Sequence, residues 1–253
     1  MYELFMNLSK YKVFYDLNGY VVIKNLVKES TLNKILEEIE ILEKKVVNLK
    51  NKKYFHKTNK GKFNSIHNIQ EFIKSGNIIN FTKNSKLKKI VKVLLQKQPK
   101  LRNVEFFLKP AKNGMAAPFH QDNFYWNIIN SEALNVWLAC SSANKKNGGV
   151  CYLQGSHELG TINHSLSFAK GTSQKIPDKI LKKLNFKKIF PNLKKGDCVI
   201  HHPEIIHGSS KNISERDRIG LAVSYASTNS KIDKLKLKKY IDSLKKSLNI
   251  IYK

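Results

Sequence analysis

The chain has 253 residues, of which 41% are hydrophobic, including 13 Phe and 10 Tyr. That is enough to bury roughly 70% of the unfolded surface without disulfide or metal staples, and it excludes wholesale disorder. A formal charge of +27 would suit nucleic acid or an anionic membrane, yet only three of the 46 basic residues are arginines (Arg102, Arg216, Arg218), and the lysines are scattered from Lys10 to Lys253. Phosphate and base readers lean on arginine's planar fork, so the excess reads as a compositional bias on solvated positions, with no nucleic-acid partner.

Taken in chain order, residues Met1–Tyr15 read as a lead-in helix. Asn18-Gly19 marks a turn and Tyr20-Val21-Val22-Ile23 a β-branched strand. Ser30 is placed to cap a helix whose apolar positions Leu32, Ile35, Leu36, Ile39 and Leu42 recur every three or four residues, with Glu37, Glu38 and Glu40 facing outward. Asn48–Ser75 is polar and shows no period; its His56 and His67 are assigned no role. Ser85 is the expected cap of a helix carrying Leu87, Ile90, Val91, Leu94 and Leu95, ended by Pro99.

From Val104 the texture changes to short strands between Gly, Pro, Asn and Ser clusters. The expected strands are Val104–Leu108, Phe119–Asp122, Leu134–Cys140, Val150–Leu153, Lys187–Phe190, Cys198–His202 and Ile219–Ala226, with a turn at Lys194-Lys195-Gly196-Asp197. Many short strands after an α-rich start argue for a β-sandwich or barrel buttressed by helices. Residues 231–253 read as an amphipathic helix whose stripe Leu237, Tyr240, Ile241, Leu244, Leu248 and Ile251 is expected to pack on its own domain or a partner rather than on lipid. No linker or repeat divides the chain, so residues 1–253 read as one domain. Nothing specifies an oligomeric state.

Cys140, Cys151 and Cys198 lie in apolar or small-residue surroundings with no Cys-x-x-Cys pair, as expected of reduced, buried thiols in a cytoplasmic protein. There is neither a signal-peptide pattern nor a window approaching 18 apolar residues, so no membrane span is expected.

The chemistry centres on Pro118-Phe119-His120-Gln121-Asp122. On a strand, side chains at i and i+2 share a face, so His120 and Asp122 converge. A His-x-Asp pair alone is common, and two unremarkable surface residues are the bland alternative. A third ligand is available in His207. Two imidazoles and one carboxylate leave three adjacent positions open on an octahedral ion, the facial arrangement of non-haem Fe(II) oxygenases; catalytic zinc normally leaves one.

Arg218 follows His207 by 11 residues across a polar, turn-like segment. It opens a strand on which Arg218, Gly220, Ala222 and Ser224 share a face and Ile219, Leu221, Val223 and Tyr225 share the other. A long cation followed by small residues suggests a pocket. Its guanidinium suits the far carboxylate of a small dicarboxylate such as 2-oxoglutarate. The competing reading is a surface salt bridge to Glu215 or Asp217.

These residues together resemble the phytanoyl-CoA dioxygenase family of Fe(II)/2-oxoglutarate-dependent oxygenases. The resemblance runs from about Phe14 to Tyr225. It takes in Gly19-Tyr20-Val21-Val22-Ile23, Phe119-His120-Gln121-Asp122, Asn147-Gly148-Gly149, Gly155-Ser156-His157-Glu158-Leu159-Gly160, Gly196-Asp197 and His207-Gly208-Ser209 with Asn212 and Arg218. It implies a mainly β fold with α: a double-stranded β-helix (jelly roll, cupin-like) with N-terminal helices packed on one sheet and the C-terminal helix added. It also implies iron on His120, Asp122 and His207, with 2-oxoglutarate and O2 as co-substrates.

By the same resemblance, Arg218 and Ser209 hold the 2-oxoglutarate tail and Trp137 lies near it. His201 and His202 rival His207 for the metal, but only His207 keeps the spacing to Arg218. His157 is expected to be structural. Gln154 stands where the family usually has proline, which alters a loop and no chemistry. Because Asp122 is present, where related halogenases have a small residue, hydroxylation of a small-molecule substrate with release of succinate and CO2 is expected. Asn123, Phe124, Tyr125 and Trp126 are the expected substrate contacts. The alternative from another class is a catalytically silent barrel that binds a small molecule or a protein.

Overall fold

The structure is a computed structural model that describes residues 2–48, 54–58, 60–169 and 172–251. Helix α1 (Tyr2–Asn18) runs past the expected stop at Tyr15 and ends at Gly19, whose φ of 76° is the left-handed ending that glycine supplies. A Cβ there would lie 2.6 Å from the His157 ring. Strand β1 (Tyr20–Ile23) follows, then α2 (Glu29–Val47), which buries Leu32, Ile35, Ile39, Leu42 and Val46.

Two sequence expectations about caps are corrected. Helix α2 starts at Glu29, with Lys28 at its cap and no side-chain cap bond, so Ser30 lies inside the first turn. Helix α5 (Ser85–Leu95) is capped by Asn84, whose Oδ1 accepts the Leu87 amide at 3.0 Å. Asparagine caps as well as serine, and it sits one residue earlier. Glu38 also departs from the expected outward face: its carboxylate accepts the Ile78 amide at 3.0 Å, at the start of α4 (Asn77–Thr82).

Within the stretch that has no sequence period, β2 (Phe55–Lys57), β3 (Phe63–Ile66) and α3 (Ile69–Phe72) form; residues 49–53 lie outside the described part. The remaining elements are β4 (Pro99–Lys109), β5 (Ala117–His120), α6 (Asp122–Trp126), β6 (Ala133–Ala139), β7 (Val150–Leu153), β8 (Ser165–Ala169), β9 (Thr172–Lys175), α7 (Asp178–Leu181), β10 (Lys188–Ile189), β11 (Cys198–His201), β12 (His207–Ser209), β13 (Arg218–Ser227) and α8 (Lys234–Ile251). The expected strand Phe119–Asp122 is therefore displaced: the chain leaves the sheet at His120 and Asp122 opens a helical turn.

Among the described residues all strand pairings are antiparallel. They give a seven-stranded sheet in the order β1-β11-β6-β13-β4-β3-β2, a four-stranded sheet β10-β7-β12-β5, and the hairpin β8-β9. The period of two along a strand divides the large sheet cleanly. Leu134, Val136 and Leu138 of β6, Leu221, Val223 and Tyr225 of β13, and Cys198 and Ile200 of β11 pack on α2 and α5. Trp137, Ala139, Val199 and Ala222 face the other way, where they meet Tyr152 of the small sheet. Tyr20 of β1 stacks on Tyr152 at 5.1 Å between ring centroids, joining the two sheets. The three cysteines are free and buried, and burial raises each thiol pKa, so all are inert.

Candidate metal centre and co-substrate pocket

Strands β5 and β12 pair so that His120 lies directly opposite His207, with ring centroids 4.4 Å apart. Each ring is fixed in the same manner. Nδ1 of His120 donates to the Pro118 carbonyl at 2.8 Å and Nδ1 of His207 to the Ile205 carbonyl at 3.0 Å. Both Nε2 atoms are thereby left as lone pairs, the tautomer a metal requires. Asp122 Oδ1 lies 3.8 Å from Nε2 of His120 and 3.7 Å from Nε2 of His207. Of the described residues these three form the group able to hold a metal ion, with donor atoms all within 4.8 Å of one another.

Burial, with His207 beside it, brings His120 down to about 4, and burial likewise brings His207 to about 4. Burial alone would raise Asp122, but the imidazole of His207, the hydrogen bond from His201 and the other neighbouring rings hold it well below the usual carboxylate range. Two neutral nitrogens and one ionised oxygen are a donor set for a divalent first-row ion. Donors at right angles about 2.1 Å from such an ion stand roughly 3 Å apart, so small side-chain rotations close the set. The residues fit iron.

Asp122 Oδ2 is held by protein. Asn135 Nδ2 donates to it at 3.0 Å and His201 Nε2 at 3.1 Å, while Tyr152 Oη meets His201 Nδ1 at 2.9 Å. His201 is thus no rival ligand but a partner of the ligand's second oxygen. His202, next along the chain, points away and packs at a tilt against the rings of Tyr15 and His157. His157 is structural, its Nε2 2.8 Å from the Asp16 carbonyl. Gln154 ties its loop to α1 through a short hydrogen bond to Asn18.

The donor set lies in a cavity of about 940 Å³ between the two sheets. Beyond it stands Arg218, only 3% exposed, its guanidinium 5.3 Å above the Trp137 ring. Its Nε has no partner, and burial lowers its pKa to about 10. The salt-bridge alternatives are removed: Glu215 pairs with Lys112 at 2.8 Å, and Asp217 accepts the Ala111 amide at 2.7 Å. Gly220 makes the stacking possible, since a Cβ there would lie 2.1 Å from the indole of Trp137. The small residues after Arg218 therefore make room for Trp137 as well as for a ligand.

Sequence reasoning missed Lys109. It pairs with Arg218 across β4 and β13, and its Nζ donates to Ser209 Oγ at 2.7 Å and to the Ser210 carbonyl at 2.6 Å. Burial, then Arg218, pushes it down to about 6. Gly148, at φ 78°, gives its stem space: a Cβ there would lie 2.8 Å from Lys109 Cδ. Two buried basic side chains with no carboxylate between them among the described residues are an incomplete arrangement. A dicarboxylate tail completes it.

Of the expected substrate contacts, Tyr125 and Trp126 line the cavity. Asn123 and Phe124 do not, because a helical turn sends them to the opposite side from Asp122. Asn123 bonds to Ile128 and Ser131, and Phe124 stacks on His164 at 4.0 Å. Helix α8 covers this part of the cavity with Tyr240 and Leu244, Tyr240 lying edge-on to both Phe124 and Tyr125. Leu237 is half-buried, while Ile241, expected on the packed stripe, is exposed; the side chains of Leu248 and Ile251 lie outside the described part. His56 and His67 also border the cavity, although nothing in their sequence context marked them.

Two facing antiparallel sheets, a His-Asp-His set and a buried cationic wall define the cupin-like non-haem oxygenases that use 2-oxoglutarate. Residues 15–220 match the family described as phytanoyl-CoA dioxygenase (PhyH), and the chain belongs to that family. The peroxisomal phytanoyl-CoA dioxygenase of Homo sapiens is 24% identical over 225 residues, covering 85% of this chain and 67% of the human protein. A probable phytanoyl-CoA dioxygenase of Caenorhabditis elegans is 27% identical over 228 residues, covering 84% and 73%. Among solved structures, EctD from S. alaskensis with bound Fe aligns with a TM-score of 0.75 at 17% identity over 89% of this chain and 79% of its own. The epimerase SnoN in complex with Fe3+, alpha ketoglutarate and nogalamycin RO aligns with a TM-score of 0.70 at 16% identity, over 89% and 85%. The fold is theirs, and the protein is an iron- and 2-oxoglutarate-dependent oxygenase.

Proposed function

We propose that His120, Asp122 and His207 ligate the iron, and that Arg218, Ser209 and Lys109 hold the far carboxylate of 2-oxoglutarate above Trp137. The reaction we assign is hydroxylation of an unactivated C–H bond of a small molecule, consuming O2 and 2-oxoglutarate and releasing succinate and CO2. The observation that carries this reading is Arg218: a buried guanidinium with an unpartnered Nε in the same cavity as the neutral-imidazole and carboxylate set.

When bound, iron supplies the oxidative decarboxylation of 2-oxoglutarate and couples it to oxidation of the substrate. The chain's own residues position and shield. Asn135 and His201 tie Oδ2 of Asp122, so that one carboxylate oxygen is presented to the metal. Arg218 and Lys109 neutralise the tail, and Tyr125, Trp126 and Tyr240 exclude water from the substrate side.

Anaerobic addition of Fe(II) and then 2-oxoglutarate should produce the metal-to-ligand charge-transfer absorption. His120→Ala should abolish it at any 2-oxoglutarate concentration. Arg218→Ala should recover it only at much higher concentration. Unchanged 2-oxoglutarate affinity in the Arg218 variant would remove that assignment, and absence of iron-dependent succinate formation would leave a binding protein instead.

A further inference from the structure

Strand β4 carries one residue too many for its partner. Across from β13, Asn103 faces Ser224 and Leu101 faces Tyr225, which leaves Arg102 without a counterpart. Such a bulge re-aims a side chain, and bulges gather beside active sites. Without it, Arg102 would share the helix-packed side of Val104 and Phe106; with it, Arg102 and Asn103 both border the cavity. The distortion is held in place by Gln70, whose Oε1 accepts the Val104 amide at 2.8 Å and whose Nε2 donates to the Arg102 carbonyl at 3.4 Å.

The guanidinium lies 4.5 Å over the ring of Trp126, which closes the same short helix that Asp122 opens. Stacking fixes the plane of the cation and leaves its edge free. Among the described residues no carboxylate lies within ion-pair distance of it, although Glu105 and Asp122 attract it from further off. Glu105, the nearest acid on its own strand, is engaged by His67 Nδ1 at 2.5 Å. Lysine fills nearly every other basic position of the chain, and the bulge places this planar cation, solvent-exposed, on the rim of the cavity, where its fork can meet an anion.

We propose that Arg102 determines specificity, and that the substrate is an acid whose carboxylate or phosphate is held by this guanidinium. This rests on the oxygenase reading above and deepens it. Arg218 and Lys109 serve the co-substrate on one side of the metal set, and Arg102 serves the substrate at the Trp126 side. A neutral molecule of the same shape is a poor substrate, because it leaves the stacked cation without its anion.

The test uses the iron- and 2-oxoglutarate-loaded protein and straight-chain probes of six to sixteen carbons, each as carboxylate, primary amide, alkyl phosphate and alcohol. Succinate formation above the probe-free rate is read, together with each probe's effect on the charge-transfer band. One of the two acid series should stimulate turnover at concentrations about tenfold to a hundredfold lower than its neutral counterpart, and which series does so separates carboxylate from phosphate. Arg102→Gln should erase that preference, and Arg102→Lys should restore part of it. Neither should change the half-saturating 2-oxoglutarate concentration or the thermal midpoint. Acids no better than their neutral counterparts in the wild-type protein, or an acid preference that survives Arg102→Gln, overturns the proposal. Failure of the charge-transfer band itself would instead overturn the oxygenase reading.

Discussion

The two faces of the seven-stranded sheet are made from the same strands, yet they are built to opposite rules. On the face toward α2 and α5, Leu134, Val136, Leu138, Leu221 and Val223 are fully buried and apolar, and they carry no side-chain polar group to satisfy. On the cavity face the intervening residues are Asn135, Trp137, His201, Arg218 and Ser224. Three of the six unpartnered buried side-chain atoms among the described residues lie there: Asn135 Oδ1, Arg218 Nε and Ser224 Oγ. An unsatisfied buried polar atom costs about 1–3 kcal/mol. The helix-backed face supplies that stability, and the cavity face keeps polar groups ready for ligands. Function and stability are separated here by one residue of strand period, not by distance.

The sharpest break between the faces should come at β13. Arg218→Ala should raise the half-saturating 2-oxoglutarate concentration about a hundredfold, as expected for losing a bidentate charged partner, with little change in iron binding or thermal midpoint. Leu221→Ala, three residues on and on the other face, should do the reverse. It should cost about 2–4 kcal/mol of unfolding free energy in denaturant titration, with 2-oxoglutarate affinity intact in the folded fraction. If both variants lost both properties, the two faces would not be independent.

Next in size is His201 on β11. His201→Ala leaves the second oxygen of Asp122 to Asn135 alone and strands the Tyr152 hydroxyl, so iron affinity should fall about tenfold to a hundredfold. His201→Gln, which keeps a donor, should recover part of that loss. Equal affinity in the alanine variant would mean that Asn135 suffices to orient the carboxylate.

How much of this was legible in the sequence follows the same division. The alternation along β13 reads directly, because a period of two with apolar residues on one side has one interpretation. The convergence of His120 and Asp122 was legible for the wrong reason: the pair is brought together by a strand-to-helix turn, since the chain bends at Gln121. Ser85 lost the cap to its neighbour Asn84, which caps as well, whereas Ser30 falls inside a first turn that starts at Glu29 with no side-chain cap. His201 reads as a rival ligand until the register puts Asp122 between it and the metal side. Lys109 had no signal at all in a chain rich in lysine; Arg102 was marked by the scarcity of arginine, but an inserted residue reverses the side that alternation assigns to it.

The smallest predicted effect is a slope rather than a loss, and it concerns Lys109. Its native pKa of about 6 lies far below the ordinary lysine value of 10.5, because burial and Arg218 disfavour the ammonium. Between those values the unfolded chain binds a proton that the native chain does not, so stability of the ligand-free protein rises with pH across this window. Below about 6 both states carry the proton and the cost of the buried charge is present in full. A bound dicarboxylate favours the ammonium, so 2-oxoglutarate binding takes up a proton and its affinity should fall as pH rises above 6. Lys109→Met should flatten both curves, raise the thermal midpoint near pH 6 and weaken 2-oxoglutarate binding about tenfold. The check is half-saturation measured from pH 6 to 9 in the two proteins at fixed iron. Parallel curves would show that the buried amine never changes its protonation, and the cationic wall would then reduce to Arg218.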